Sequence, residues 1–197
     1  MTEESPRGIN YMMGHHPSVL KAHGNRTAAA YAAYLLPNIR PRDLILDVGC
    51  GPGSITAGLA EQAPNGWTVG IDYGAGAIEA AKENVKRNGG PKNCEFKISN
   101  AYALEWDEGS FDVVHTHQCL VHLDDPVKAF KEMRRVCKDG GIVGVKEGNG
   151  SMTVTNILKQ DILTAFSGLW RFYDLPRRSV IVPDIRYNWK SDAIRWQ

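Results

Sequence analysis

The chain has 197 residues, 43% of them apolar and 23% charged, as expected of one globular domain with a sizeable core. Its 23 basic and 22 acidic residues nearly cancel, which disfavours nucleic acid and anionic membrane surfaces and leaves a small molecule as the expected partner. No apolar run reaches the roughly 20 residues that span a bilayer, and the start at Met1 is acidic where a signal peptide would be basic.

The expected location is therefore cytoplasmic. The scattered thiols Cys50, Cys94, Cys119 and Cys137 contain no CxxC pair, so neither a disulfide framework nor a zinc site is expected. To about Pro17 the chain reads as a polar loop. Ser18 then stands where an N-cap would precede an Ala- and Leu-rich helix over Val19–Leu36, halted by Pro37.

From Asp43 the pattern alternates. A strand at Leu44–Val48, a glycine loop, a helix over Ser54–Gln62 and a strand at Trp67–Asp72 make one βαβ unit. A helix from about Ala75 to Arg87, ended by Asn88-Gly89-Gly90-Pro91, leads to a strand at Glu95–Ile98. A strand at Phe111–His115, a helix from Pro126 to about Cys137 and a strand at Ile142–Lys146 complete the series. Strands apolar on both faces need helices on both sides, so the expected fold class is α/β, a Rossmann-like, doubly wound and mostly parallel sheet. After Glu147 the pattern degrades. Met152–Phe172 fits one amphipathic helix, Ser179–Val182 one short strand, and Trp170, Trp189 and Trp196 crowd the tail.

Gly49, Gly51 and Gly53 follow a strand and precede a helix, where they let the backbone turn sharply and approach a ligand closely. The spacing is G-x-G-x-G, with Ser54 where a dinucleotide site would want its last glycine. Asp47 stands where it orders the loop or meets a cationic group. Asp72 closes the second strand, where a carboxylate accepts both hydroxyls of an adenosine ribose; the alternative is a cap for the helix near Ala75.

Asp47-Val48-Gly49-Cys50-Gly51-Pro52-Gly53 resembles the first motif of class I methyltransferases, and Gly70-Ile71-Asp72-Tyr73 resembles their acidic motif. Trp106–Val114 is similar to the family's "PDGSFDVV" entry to strand four, and Arg134–Gly141 to its "RVLKPGG" turn before strand five. Within the class the likeness is to ubiquinone/menaquinone-type enzymes, and the segment from His16-Pro17-Ser18 to Arg26-Thr27-Ala28 resembles fungal secondary-metabolite members. The resemblance implies S-adenosylmethionine as cofactor and three parts: an N-terminal cap and helix (1–40), a cofactor-binding core (41–150) and a shortened C-terminal region (151–197).

Its implied cofactor residues are Asp47, Gly49, Gly51, Gly53, Asp72, Tyr73, Asn100, Ala101 and His117, with Gln118 beside them. Asn100 replaces the usual adenine-binding Asp; an amide oxygen still accepts, at a loss of about 1 kcal/mol. The N-terminal segment folds over the cofactor in related enzymes, which brings Tyr11 and Arg26 toward it. Methyl transfer needs proximity first; a general base matters only for a hydroxyl or protonated amine, and His122 is the candidate, with ordinary loop histidines as the alternative. A metal triad of His115, His117 and His122 is disfavoured for want of matching carboxylates or cysteines. The expected function is methyl transfer to a small molecule in secondary metabolism. The alternative is a catalytically reduced auxiliary protein, with the short tail inviting a homodimer or partner chain.

Overall fold

In the computed structural model, residues 26–146 are described together with the backbone of three short strands at 179–181, 185–188 and 193–196. Apolar runs become strands where both faces are covered. β1 (Leu44–Val48), β2 (Trp67–Asp72), β3 (Cys94–Ile98), β4 (Phe111–His117), β5 (Cys137–Lys146) and β6 (Ser179–Ile181) form a sheet of order β3-β2-β1-β4-β5-β6. Every neighbouring pair in it is parallel.

The helices are α1 (Ala28–Tyr31), α2 (Ser54–Gln62), α3 (Ala75–Arg87) and α4 (Pro126–Val136). On one face Ile45 and Val113 pack with Ala28, Leu35, Ile55 and Leu59; on the other Leu46, Val114 and Val143 pack with Phe130 and Met133 of α4. Burial on both faces makes the sheet doubly wound, as its sequence pattern predicts. Strand order reverses between β1 and β4, and such a switch point opens a ligand crevice beyond the carboxyl ends of the strands. There Asp47 stands opposite His115, and His117 opposite Lys146.

Three expectations need correction. The helix expected over Val19–Leu36 is, within the described residues, only the four-residue α1; the expected cap at Ser18 lies outside them. Thr27 caps α1, its Oγ1 accepting the Ala30 N–H at 3.2 Å. The chain leaves the helix at Ala32 so that Ala32 and Leu35 reach the core, and Pro37 sits inside a 3-10 turn, Leu36–Asn38, as its fixed φ allows. Second, β5 begins at Cys137, directly after α4: Phe111 pairs with Cys137 and Val113 with Ile142, and the Lys138–Gly141 segment is absorbed as an irregularity with Gly140 at φ 78°.

Third, the tail was expected to give one helix and a short strand. β6 falls where the strand was expected, but β7 (Ile185–Asn188) and β8 (Ala193–Trp196) form an antiparallel pair besides. Four residues are too few for alternation to stand out. The expected Met152–Phe172 helix lies outside the described residues. Among the described helices none is long and apolar enough to cross a membrane.

Candidate functional site

The glycine loop between β1 and α2 is tied from beneath. Ile71 of β2 accepts both the Gly49 and the Cys50 N–H, at 2.8 and 2.9 Å, and Asn84 of α3 donates to the Pro52 carbonyl at 3.0 Å. Gly53 has φ 74°, and a Cβ there would come within 2.6 Å of the Phe96 ring, so only glycine lets the loop settle on β3. At Gly51 the added atom would meet nothing within 4 Å among the described residues, which leaves room for a ligand.

Of the two roles expected for Asp47, the geometry shows the ordering one. Its residue is 3% exposed; Oδ2 accepts from Thr56 Oγ1 at 2.5 Å and Oδ1 from His115 Nδ1 at 2.8 Å. A carboxylate is acceptor-only, which assigns the proton of that second contact to Nδ1. One side chain thus joins β1, α2 and β4 directly under the loop, where it holds the cradle and does not face the crevice. Sequence reasoning missed both partners, although adjacency of β1 and β4 in parallel register would have put His115 opposite Asp47.

Asp72 faces the loop. Its Oδ2 accepts the Gly51 N–H at 3.1 Å and its Oδ1 the Gly74 N–H at 2.9 Å. The residue at the cap position of α3 is Gly74, so Asp72 is not the helix cap, the alternative weighed for it. A carboxylate offers about four acceptor sites, and capacity for ribose hydroxyls is left. Beside it stand two exposed apolar side chains at the carboxyl ends of β2 and β3, Tyr73 (38%) and Ile98 (58%), which suit the faces of a flat heterocycle. Ile98 was not foreseen. Asn100 and Ala101 follow on the turn after β3, where Asn100 Oδ1 accepts the Tyr102 N–H at 2.9 Å, leaving its second lone pair for a donor.

Past β4, Gln118 takes φ 54°, uncommon for a residue with a side chain, and donates its N–H to the Lys146 carbonyl at 3.0 Å. His117 is 9% exposed, its ring edge-on to Tyr31 at 5.2 Å between centroids. Burial, followed by the nearby Arg26 cation, lowers its pKa to about 4. His122 ends a 3-10 turn, Leu120–His122, and its pKa is also lowered by burial. His115 and His117 are turned to different partners, and no three or more His, Cys, Asp or Glu gather as a metal group among the described residues. Burial pushes the Cys50 thiol well above its ordinary range and Cys94 up to about 12, which removes both as nucleophiles at neutral pH. Tyr11 lies outside the described residues. A groove of about 550 Å³ lined by Lys82, Val85, Lys86 and Lys97 flanks α3 and β3, apart from the loop.

A parallel sheet with its switch point under a glycine loop, and an acidic residue closing β2, defines a Rossmann-like adenosyl-cofactor fold. The family model described as "Methyltransferase domain" matches residues 39–168, and the chain belongs to that family. It is 38% identical over 146 residues to an uncharacterized methyltransferase of Schizosaccharomyces pombe, covering 72% of this chain and 52% of that protein. It is 41% identical over 100 residues to a demethylmenaquinone methyltransferase of Lactococcus lactis, covering 50% of this chain and 39% of that protein. A crystal structure of a SAM-dependent methyltransferase from Aquifex aeolicus shares the fold with a TM-score of 0.64, at 19% identity over 79% of this chain and 88% of that one. The chain spans about half the length of the Schizosaccharomyces relative. S-adenosylmethionine is the family's cofactor, and the residues present fit it: an open backbone at Gly51, a carboxylate at Asp72 and apolar faces at Tyr73 and Ile98.

Two outcomes follow. Asp47→Ala strands the buried His115 and Thr56 groups and destabilises the fold by about 3 kcal/mol, read by urea unfolding; a change under about 1 kcal/mol contradicts the network. An unfolded histidine titrates near about 6.5, whereas folded His117 titrates at about 4. The unfolded chain therefore takes the proton first. Stability drawn from neutral His117 is full above about pH 6.5 and is lost as pH falls toward about 4. NMR titration of the ring checks this, and a midpoint near the unfolded value contradicts it.

Proposed function

We propose that this chain is an S-adenosylmethionine-dependent methyltransferase whose acceptor is a small molecule, working in secondary metabolism in the cytoplasm. The observation that carries the reading is the Gly51–Asp72 hydrogen bond, which sets a carboxylate against the open backbone at Gly51. Preorganised donors and acceptors cost little to use at the moment of binding.

The residues divide the labour. Asp72 would take the ribose hydroxyls, Tyr73 and Ile98 would flank the adenine, Asn100 and Ala101 would meet its edge, and the glycine loop, open at Gly51, would receive the amino-acid part. The bound cofactor supplies a methyl group already activated on a sulfonium centre. What falls to the chain is alignment and exclusion of water, with His122 as the base for an acceptor that arrives as a hydroxyl or protonated amine. The small-molecule acceptor is supported by the near neutrality of the chain and by a relative named for demethylmenaquinone; the metabolic setting is supported by the likeness of the segment around Arg26 to fungal members.

Calorimetry with S-adenosylhomocysteine tests the assignment. The wild type is expected to bind saturably, and Asp72→Ala to lose about tenfold to a hundredfold in affinity, the worth of hydrogen bonds to a charged group. Undiminished binding by a folded Asp72→Ala protein removes the ribose role. A folded wild type that binds neither S-adenosylhomocysteine nor S-adenosylmethionine overturns the enzyme reading in favour of an auxiliary protein.

A further inference from the structure

The sheet ends on one side at β3, which pairs with β2 and with no other strand among the described residues. Along that pairing Thr68 donates its N–H to the Asn93 carbonyl at 3.0 Å, and Ser99 donates to the Asp72 carbonyl at 3.1 Å. Backbone groups alternate in direction along a strand, so the odd-numbered residues of β3 face β2, and Cys94, Phe96 and Ile98 turn their N–H and C=O groups to the free edge. Natural edges are blunted by proline, by bulges, by charge or by cover. The five residues of β3 contain no proline, and their register with β2 runs unbroken from Cys94 to Ile98. The charges on the strand are engaged with their own surroundings: Lys97 Nζ lies 3.2 Å from Glu95 and 5.7 Å from the centre of the Trp106 ring.

Beside this edge runs the groove of about 550 Å³. Its α3 wall carries Lys82 and Lys86, both exposed, and neither forms an ion pair among the described residues. Like charges one helical turn apart repel, so this wall favours an anion. Val85, Cys94 and Phe96 give the groove an apolar lining. Because α3 connects two parallel strands it runs back along them, which lays the two lysines out along the edge about 6 Å apart. Alternate residues of an extended chain are about 6.6 Å apart and share a face. An extended segment on the β3 edge therefore brings every second side chain to the lysines.

We propose that the free edge of β3 and the lysine wall of α3 dock a partner protein through an extended acidic segment, added to the sheet as a further strand with acidic side chains at alternate positions. Backbone hydrogen bonds to Cys94, Phe96 and Ile98 supply the pairing, and Lys82 and Lys86 select the acidic sequence. A small anion satisfies the lysines but leaves the edge unpaired; a peptide answers both. The proposal does not rest on the methyltransferase reading above.

The test is titration of the full chain with the capped peptide Glu-Val-Glu-Val-Glu-Thr and with its neutral counterpart Gln-Val-Gln-Val-Gln-Thr, followed by calorimetry and by amide hydrogen exchange. The acidic peptide is expected to bind about fivefold tighter than the neutral one. It should slow exchange at Cys94, Phe96 and Ile98, whose amides exchange fast in the free chain, and leave Glu95 and Lys97, already turned to β2, unchanged. Replacing both lysines, Lys82→Gln and Lys86→Gln, should weaken the acidic peptide about fivefold in a protein that stays folded. Equal binding of the two peptides overturns the proposal, as does binding untouched by the lysine replacements or no binding at about 1 mM. Lysine-dependent binding without protection of those edge amides overturns it too, because the groove is then a plain anion site. Slow exchange of the same amides in the free chain does so as well, since the edge is then already covered.

Discussion

The buried carboxylate of Asp47 is the contact on which the rest of the site depends. It leaves no oxygen idle: one is held by Thr56 at the start of α2 and the other by His115 in β4. A buried carboxylate is costly unless its acceptors are satisfied, so β1, α2 and β4 are confined to one arrangement around it. The glycine loop spans that junction and is open at Gly51, while Gly49 lies against Cys119 and Gly53 against Phe96. Ile71 fastens the loop from β2 by taking two successive loop N–H groups.

Above that junction the crevice has two unlike halves. On the β2 and β3 side a carboxylate, two exposed apolar side chains and an amide make a surface suited to an adenosine. On the β4 and β5 side the surface is cationic, with Arg26 and Lys146 about Tyr31 and a histidine kept neutral by burial. Strand β4 serves both halves: its parallel pairing with β1 sets His115 opposite Asp47, and its parallel pairing with β5 sets His117 opposite Lys146.

What could be read from the residues follows this division. Strands β1 and β2 and helices α2 and α3 were legible to the residue, because apolar runs of five or six between glycine or proline signals have one economical explanation in a parallel sheet. That the glycine loop and Asp72 stand at strand ends of one βαβ unit was legible too; the hydrogen bond between Gly51 and Asp72 was not. The length of α1 was not, because Ala- and Leu-rich sequence favours helix wherever tertiary packing does not overrule it, and the burial of Ala32 and Leu35 does. Neither was the cluster at Tyr31, whose members are separated by more than a hundred positions, from Arg26 to Lys146, and share no spacing. Asp47 was singled out but faces inward, a distinction that strand position two residues before a glycine does not carry.

The most direct measurement is a crystal structure of the chain with S-adenosylhomocysteine. The account predicts the ribose hydroxyls within about 3 Å of the Asp72 carboxylate, the adenine between Tyr73 and Ile98, and the amino-acid part along the backbone at Gly51. A ligand seated instead in the lysine-lined groove beside α3 and β3, with the Gly51–Asp72 contact unvisited, would contradict it.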